Sequence, residues 1–134
     1  MRGIIIRYLK YIVMLILVLL ITGCNSASTG NPTAKEILDG NSNADIIKLD
    51  DLIYSRNTNP DRKPKDGYSK GEKIGEIKKK TTNTLWFRNL YASKLPKGTE
   101  VFSTNEEYKS GDAPFVILVE MDGELIDYHA LVEG

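Results

Sequence analysis

The chain is expected to fold as a mainly β domain, a small antiparallel β barrel or roll of about six to seven strands with one short N-terminal helix. Three observations predict it. Short runs rich in Ile, Leu, Val and aromatic residues recur from Ile46 onward, at strand length and separated by turn residues. The last two runs, 115–121 and 124–132, are joined by Asp122-Gly123, which a type I′ hairpin favours because both turn residues need positive φ. Ahead of the strands, Thr33-Ala34-Lys35-Glu36 matches a capping box, and Gly40 follows Ile37-Leu38-Asp39, so one short helix is predicted there.

The N-terminal segment precedes this domain and has a different character. Arg2, Arg7 and Lys10 form a positive region ahead of the apolar run 11–21, which is short for a membrane span and has signal-peptide proportions. Ile21-Thr22-Gly23-Cys24 then resembles the lipobox of bacterial lipoproteins: an aliphatic residue, a small residue, Gly or Ala, and Cys. The resemblance implies cleavage between Gly23 and Cys24, a diacylglyceryl group on the Cys24 thiol, and a lipid-anchored protein on the extracytoplasmic face of the cell membrane. Whether the new amino group is also acylated, with palmitate for example, stays open. Cys24 is the single cysteine, so an internal disulfide is excluded. The competing reading is an uncleaved anchor helix, whose apolar stretch Arg7 and Lys10 would interrupt. Residues 25–31 are small and polar, with nothing to bury. The predicted organisation is thus a signal peptide over 1–23, a lipidated flexible tether over 24–32 and a small β domain over 33–134.

Within the domain, Ile46-Ile47-Lys48-Leu49 and Leu52-Ile53-Tyr54-Ser55 flank Asp50-Asp51, which predicts a tight hairpin, with one longer strand as the alternative. Residues 57–67 are dense in Asn, Pro, Asp, Lys and Arg and read as a loop. Residues 72–78 alternate polar and apolar, as a half-buried strand does, and Gly75 within them suggests a bulge or a close backbone approach. Leu85-Trp86-Phe87 has strong β propensity, and Pro96-Lys97-Gly98 is a turn into Glu100-Val101-Phe102-Ser103. In the final hairpin both faces of 115–121 are apolar at the centre, which predicts burial on both sides. The combination of Lys73-Ile74-Gly75-Glu76-Ile77, Leu95-Pro96-Lys97-Gly98-Thr99-Glu100-Val101-Phe102 and the C-terminal hairpin resembles a group of small lipoproteins from Gram-positive bacilli. That resemblance implies no activity.

Charge narrows the function classes. Basic and acidic residues balance at 18 each over the whole chain, and three of the cations fall in the signal, so the remainder is mildly acidic and gives no nucleic-acid reading. The distribution is uneven, with cations concentrated in residues 24–99 and acids in 100–134. The two halves either mix through strand pairing or form opposed patches.

The chemistry-bearing residues are few. His129 is the only histidine, which removes His-His metal pairs. Alternation places it on one strand face with Leu125, Asp127 and Leu131, and it reads as a half-exposed strand residue rather than a general base aided by Asp127. Residues 57–68 begin like a calcium loop but have Arg62 where Gly is needed and Tyr68 where the closing Glu belongs. Gly71 and Gly75 lack phosphate-loop spacing, and Glu120, Asp122, Glu124 and Asp127 surround a turn tip rather than a cleft. Catalysis, cofactors and metals are therefore not expected.

The candidate interaction surface is Lys78, Lys79 and Lys80 with Trp86, Arg88 and Tyr91, suited to an anionic partner through screened Coulomb attraction and aromatic contact. Its bland counterpart is an edge strand guarded by lysines while the aromatics fill the core. The expected function is a monomeric, non-enzymatic interaction or envelope module, with a cell-wall polymer or an envelope protein as partner. The alternative is a ligand binder with a barrel-mouth pocket lined by Trp86, Phe87 and Tyr91, which a closed apolar cavity of about 300 Å³ or more would favour.

Overall fold

The computed structural model describes residues 2–22, 30–104 and 107–133, with side-chain environments omitted for 19–22. The apolar N-terminal segment is a helix, α1 (Arg2–Thr22), whose side chains over 2–18 are exposed. Among the described residues no helix is long and apolar enough to cross a membrane. Gly23, Cys24 and most of the predicted tether lie outside the described residues.

The capping box forms as the sequence requires. Thr33 accepts from the Glu36 backbone N–H at 3.3 Å, and Glu36 reaches back to the Thr33 N–H at 3.0 Å, starting α2 (Ala34–Gly40). Then follow β1 (Ile46–Leu49), β2 (Leu52–Arg56), β3 (Lys73–Glu76), β4 (Lys79–Lys80), β5 (Tyr91–Ala92), β6 (Glu100–Ser103), β7 (Val116–Met121) and β8 (Glu124–Ala130). They make one sheet in the order β3-β6-β7-β8-β2-β1-β5-β4, curled into a half-barrel.

The mainly β class holds, but the finer expectation needs correction. Among the described residues eight strands form rather than six or seven, and β3 and β4 remain as open edges, so the sheet does not close into a barrel there. The sheet is also not wholly antiparallel, because β4 runs parallel to β5. The extra strands are two residues each, too short to leave a periodic signature.

Leu85-Trp86-Phe87 is the second correction. Instead of a strand, Thr84–Trp86 is a single 3-10 turn, because the Asn83 side chain accepts from the Leu85 N–H at 3.1 Å and fixes a helical start. Phe87 alone of the three is buried; Leu85 and Trp86 are 81% and 60% exposed.

The hairpins follow the sequence closely. Asp122 and Gly123 both take positive φ, 52° and 80°, and β7 pairs β8 from Val116↔His129 to Met121↔Glu124. Asp50-Asp51 joins β1 to β2. Gly75 marks the register shift between β3 and β6, and a Cβ there would lie 2.9 Å from the Leu90 side chain, so the suggested bulge and close approach both occur.

Two apolar clusters follow from strand alternation. The inner face of the half-barrel gathers Ile47, Leu49, Tyr54, Ile117, Val119 and Tyr128. On the outer face, Ala34 and Leu38 of α2 pack with Ile46, Ile53 and Phe87. Central β7 residues Ile117, Leu118 and Val119 are all buried, so this strand is covered on both sides. The charge asymmetry resolves partly by mixing, since Lys63, Lys70 and Lys73 pair with Asp127, Glu120 and Glu100.

Candidate functional site

The outer face not covered by α2 carries the candidate site. Strand alternation puts Asp127 and His129 of β8 on this face, and the β2 register sets Ser55 directly across from His129. Beyond β2 the 57–67 loop folds back over the sheet, for reasons visible in its asparagines. Asn57 donates its amide to Asp127 Oδ2 at 2.8 Å, and its own Oδ1 accepts from the Asn59 N–H at 3.0 Å. Asn59 in turn accepts from the Asp61 N–H and starts the 3-10 turn Pro60–Arg62. Lys63 then reaches Asp127 Oδ1 at 3.1 Å.

Asp127 is the knot of this arrangement. Its side chain is 2% exposed, and its Oδ2 also meets His129 Nε2 at 2.8 Å. Burial alone pushes the carboxyl upward, but the hydrogen bonds from Asn57, Lys63 and His129 outweigh it and hold the group below its ordinary value. An ionised carboxylate only accepts, so His129 Nε2 donates the proton in this contact. His129 is buried rather than half-exposed, which corrects the sequence expectation. The cause is local: Tyr68 stands edge-on to the imidazole with centroids 6.3 Å apart, and Phe115 lies against it at 5.7 Å.

Above His129 opens a cleft of about 600 Å³, walled mainly by Pro32, Arg62, Tyr68, Phe115, Leu131 and Val132. A second hollow of about 350 Å³ adjoins it across Arg62 and His129 and is lined by Ser55, Asn57 and Thr58. The site is therefore mostly apolar and aromatic with a few polar groups, the usual make-up of a small-ligand site. It is an open cleft, not a closed pocket, and it lies away from the barrel-mouth residues Trp86, Phe87 and Tyr91, none of which lines it. Ser55 makes no hydrogen bond to His129 among the described residues, so the trio Ser55, His129 and Asp127 lacks the nucleophile–base contact of a hydrolytic triad. No group of His, Cys, Asp and Glu able to hold a metal occurs among the described residues.

No protein-family model, curated protein or solved structure matches the chain. Its site must be read from its own residues.

The predicted basic and aromatic residues come together on one unit spanning 78–92. Lys78 N–H donates to Leu90 O, and Lys79 and Lys80 pair with Tyr91 and Ala92. The Arg88 guanidinium sits 5.3 Å from the Trp86 ring, and Phe87 meets Tyr91 edge-on at 6.4 Å. Lys78, Lys79, Lys80 and Arg88 are exposed, and among the described residues none of the four has an ion-pair partner. The edge-strand reading holds in part: β4 is a lysine edge strand and Phe87 enters the core, but Trp86 stays outside it.

Sequence reasoning missed the cleft because its wall is a loop. Asp127 and His129 were readable as same-face neighbours. What alternation could not supply was the Asn57 and Lys63 contacts that bring 57–68 over them.

Proposed function

We propose that this chain is a membrane-anchored extracytoplasmic lipoprotein whose β domain is a non-enzymatic binding module. The anchor rests on Ile21-Thr22-Gly23-Cys24 at the end of the apolar segment, with a folded domain beginning a few residues later. Two acyl chains on Cys24 would anchor stably where one is marginal, since each buried methylene contributes about 0.8 kcal/mol. The binding role rests on the cleft over His129: it is open and lies on the outer face, so it is not the closed barrel-mouth pocket of the alternative reading, and the site proposed is a surface cleft within an interaction module.

The lining specifies a ligand class. Tyr68, Phe115, Leu131 and Val132 suit a largely apolar or aromatic body. Arg62, whose side chain has no ion-pair partner among the described residues, suits one acidic group. A small amphipathic acid meets both conditions. One copy of the chain supplies the residues that line the cleft, so a monomer suffices for this reading.

The anchor is tested by expressing the full chain in a Gram-positive host and comparing it with Cys24→Ala by intact mass and detergent partitioning. An acyl mass and detergent partitioning in the wild type alone are expected; identical behaviour of the two forms would show that the segment is an ordinary signal or an anchor helix.

A further inference from the structure

The 3-10 turn Thr84–Trp86 presents Leu85 and Trp86 side by side to solvent, 81% and 60% exposed, while the turn itself is held by the Asn83 cap and by burial of the next residue, Phe87. A fixed apolar tip of this kind costs free energy in water and marks a contact surface when cations surround it. Arg88 stacks on Trp86, and Lys78, Lys79 and Lys80 line the adjoining sheet edge.

Position identifies the occupant. Thr84 and Phe87 border a small hollow together with Asn31, Pro32, Thr33 and Ala34, and α2 packs its Ala34 and Leu38 against Phe87. The tip thus lies at the end of the domain where the chain arrives from Cys24. From Cys24 to Asn31 the backbone reaches at most about 25 Å when fully extended. A lipid on Cys24 would therefore keep this end of the domain close to the bilayer at high effective concentration. Trp prefers the headgroup level of a membrane, and Lys and Arg near the surface are drawn to anionic lipids.

We infer that Leu85 and Trp86 insert at the headgroup level of the same anionic bilayer that carries the anchor, with Lys78, Lys79, Lys80 and Arg88 on its lipid phosphates. Docking would lay the domain on the membrane rather than leave it free on its leash. The inference rests on the lipid-anchor reading.

Trp86 is the only tryptophan, so its fluorescence reports on the tip alone. The lipidated full chain is reconstituted into vesicles containing brominated lipid, either phosphatidylcholine alone or phosphatidylcholine with phosphatidylglycerol. Docking predicts about twofold quenching of Trp86 in the anionic vesicles, and loss of that quenching near 1 M salt, where the screening length falls to about 3 Å. Charge reversal at Lys78, Lys79 and Lys80, with the circular dichroism spectrum unchanged, is expected to abolish it as well. A chain that carries its acyl mass and floats with the vesicles but leaves Trp86 unquenched overturns the docking and spares the anchor. A chain without acyl mass overturns both.

Discussion

Replacing Asp127 by Asn tests the centre of the site. The substitution keeps the shape but removes the charge that three donors share: Asn57 at 2.8 Å, His129 at 2.8 Å and Lys63 at 3.1 Å. It also turns an NH₂ group toward the Lys63 ammonium. Hydrogen bonds to a charged group contribute about 1.5–3 kcal/mol each. The replacement amide can set its oxygen where Oδ2 was and still accept from Asn57 and His129, but as neutral hydrogen bonds about half as strong. The Lys63 partner is 45% exposed, so its share is discounted to about 0–1 kcal/mol. The expected loss is therefore about 2–3 kcal/mol, which for a domain of this size lowers the Tm by roughly 10–20 °C. Thermal unfolding followed by circular dichroism measures it, with Lys63→Ala beside it as the milder change. A Tm within about 3 °C of wild type for Asp127→Asn, or an equal loss in both variants, would refute the idea that a buried carboxylate knots the 57–68 loop to the sheet.

The same residue sets an acid dependence. A carboxyl held below its ordinary value of 3.8 stabilises the fold above that pH and loses its contribution as pH falls through the lowered folded value. Urea titrations should thus show the gap between wild type and Asp127→Asn at full size near neutrality and shrinking below about pH 4; a gap that widens in acid contradicts the assignment. Ile117→Ala, at a fully buried position inside the half-barrel, is expected to cost about 2–5 kcal/mol while leaving the outer cleft's ligand affinity unchanged in the surviving folded fraction.

What the sequence made legible was whatever rests on local rules. The capping box at Thr33 and Glu36, the positive-φ pair Asp122 and Gly123, the bulge at Gly75 and the two hairpins each depend on a few adjacent residues. Leu85-Trp86-Phe87 departs from its β propensity because that propensity presupposes a partner strand, and the Asn83 cap offers those backbone groups a turn instead. The β4–β5 pair was invisible for a different reason: two residues carry no periodicity, and its register comes from Lys78 and Thr81 binding Leu90 and Ala92 carbonyls. The cleft was the least legible feature. Its floor was present in the placing of His129 by alternation, but its wall depends on an Asn57 amide meeting the Asp127 carboxylate 70 positions away.

The central claim, that the cleft over His129 is a ligand site, is tested most directly by native mass spectrometry of the full chain extracted from membranes, compared with Arg62→Ala. A small acidic molecule that accompanies the folded wild type, leaves on denaturation and is missing from Arg62→Ala is the predicted result. Identical spectra for the two chains, with no releasable molecule in either, would contradict it.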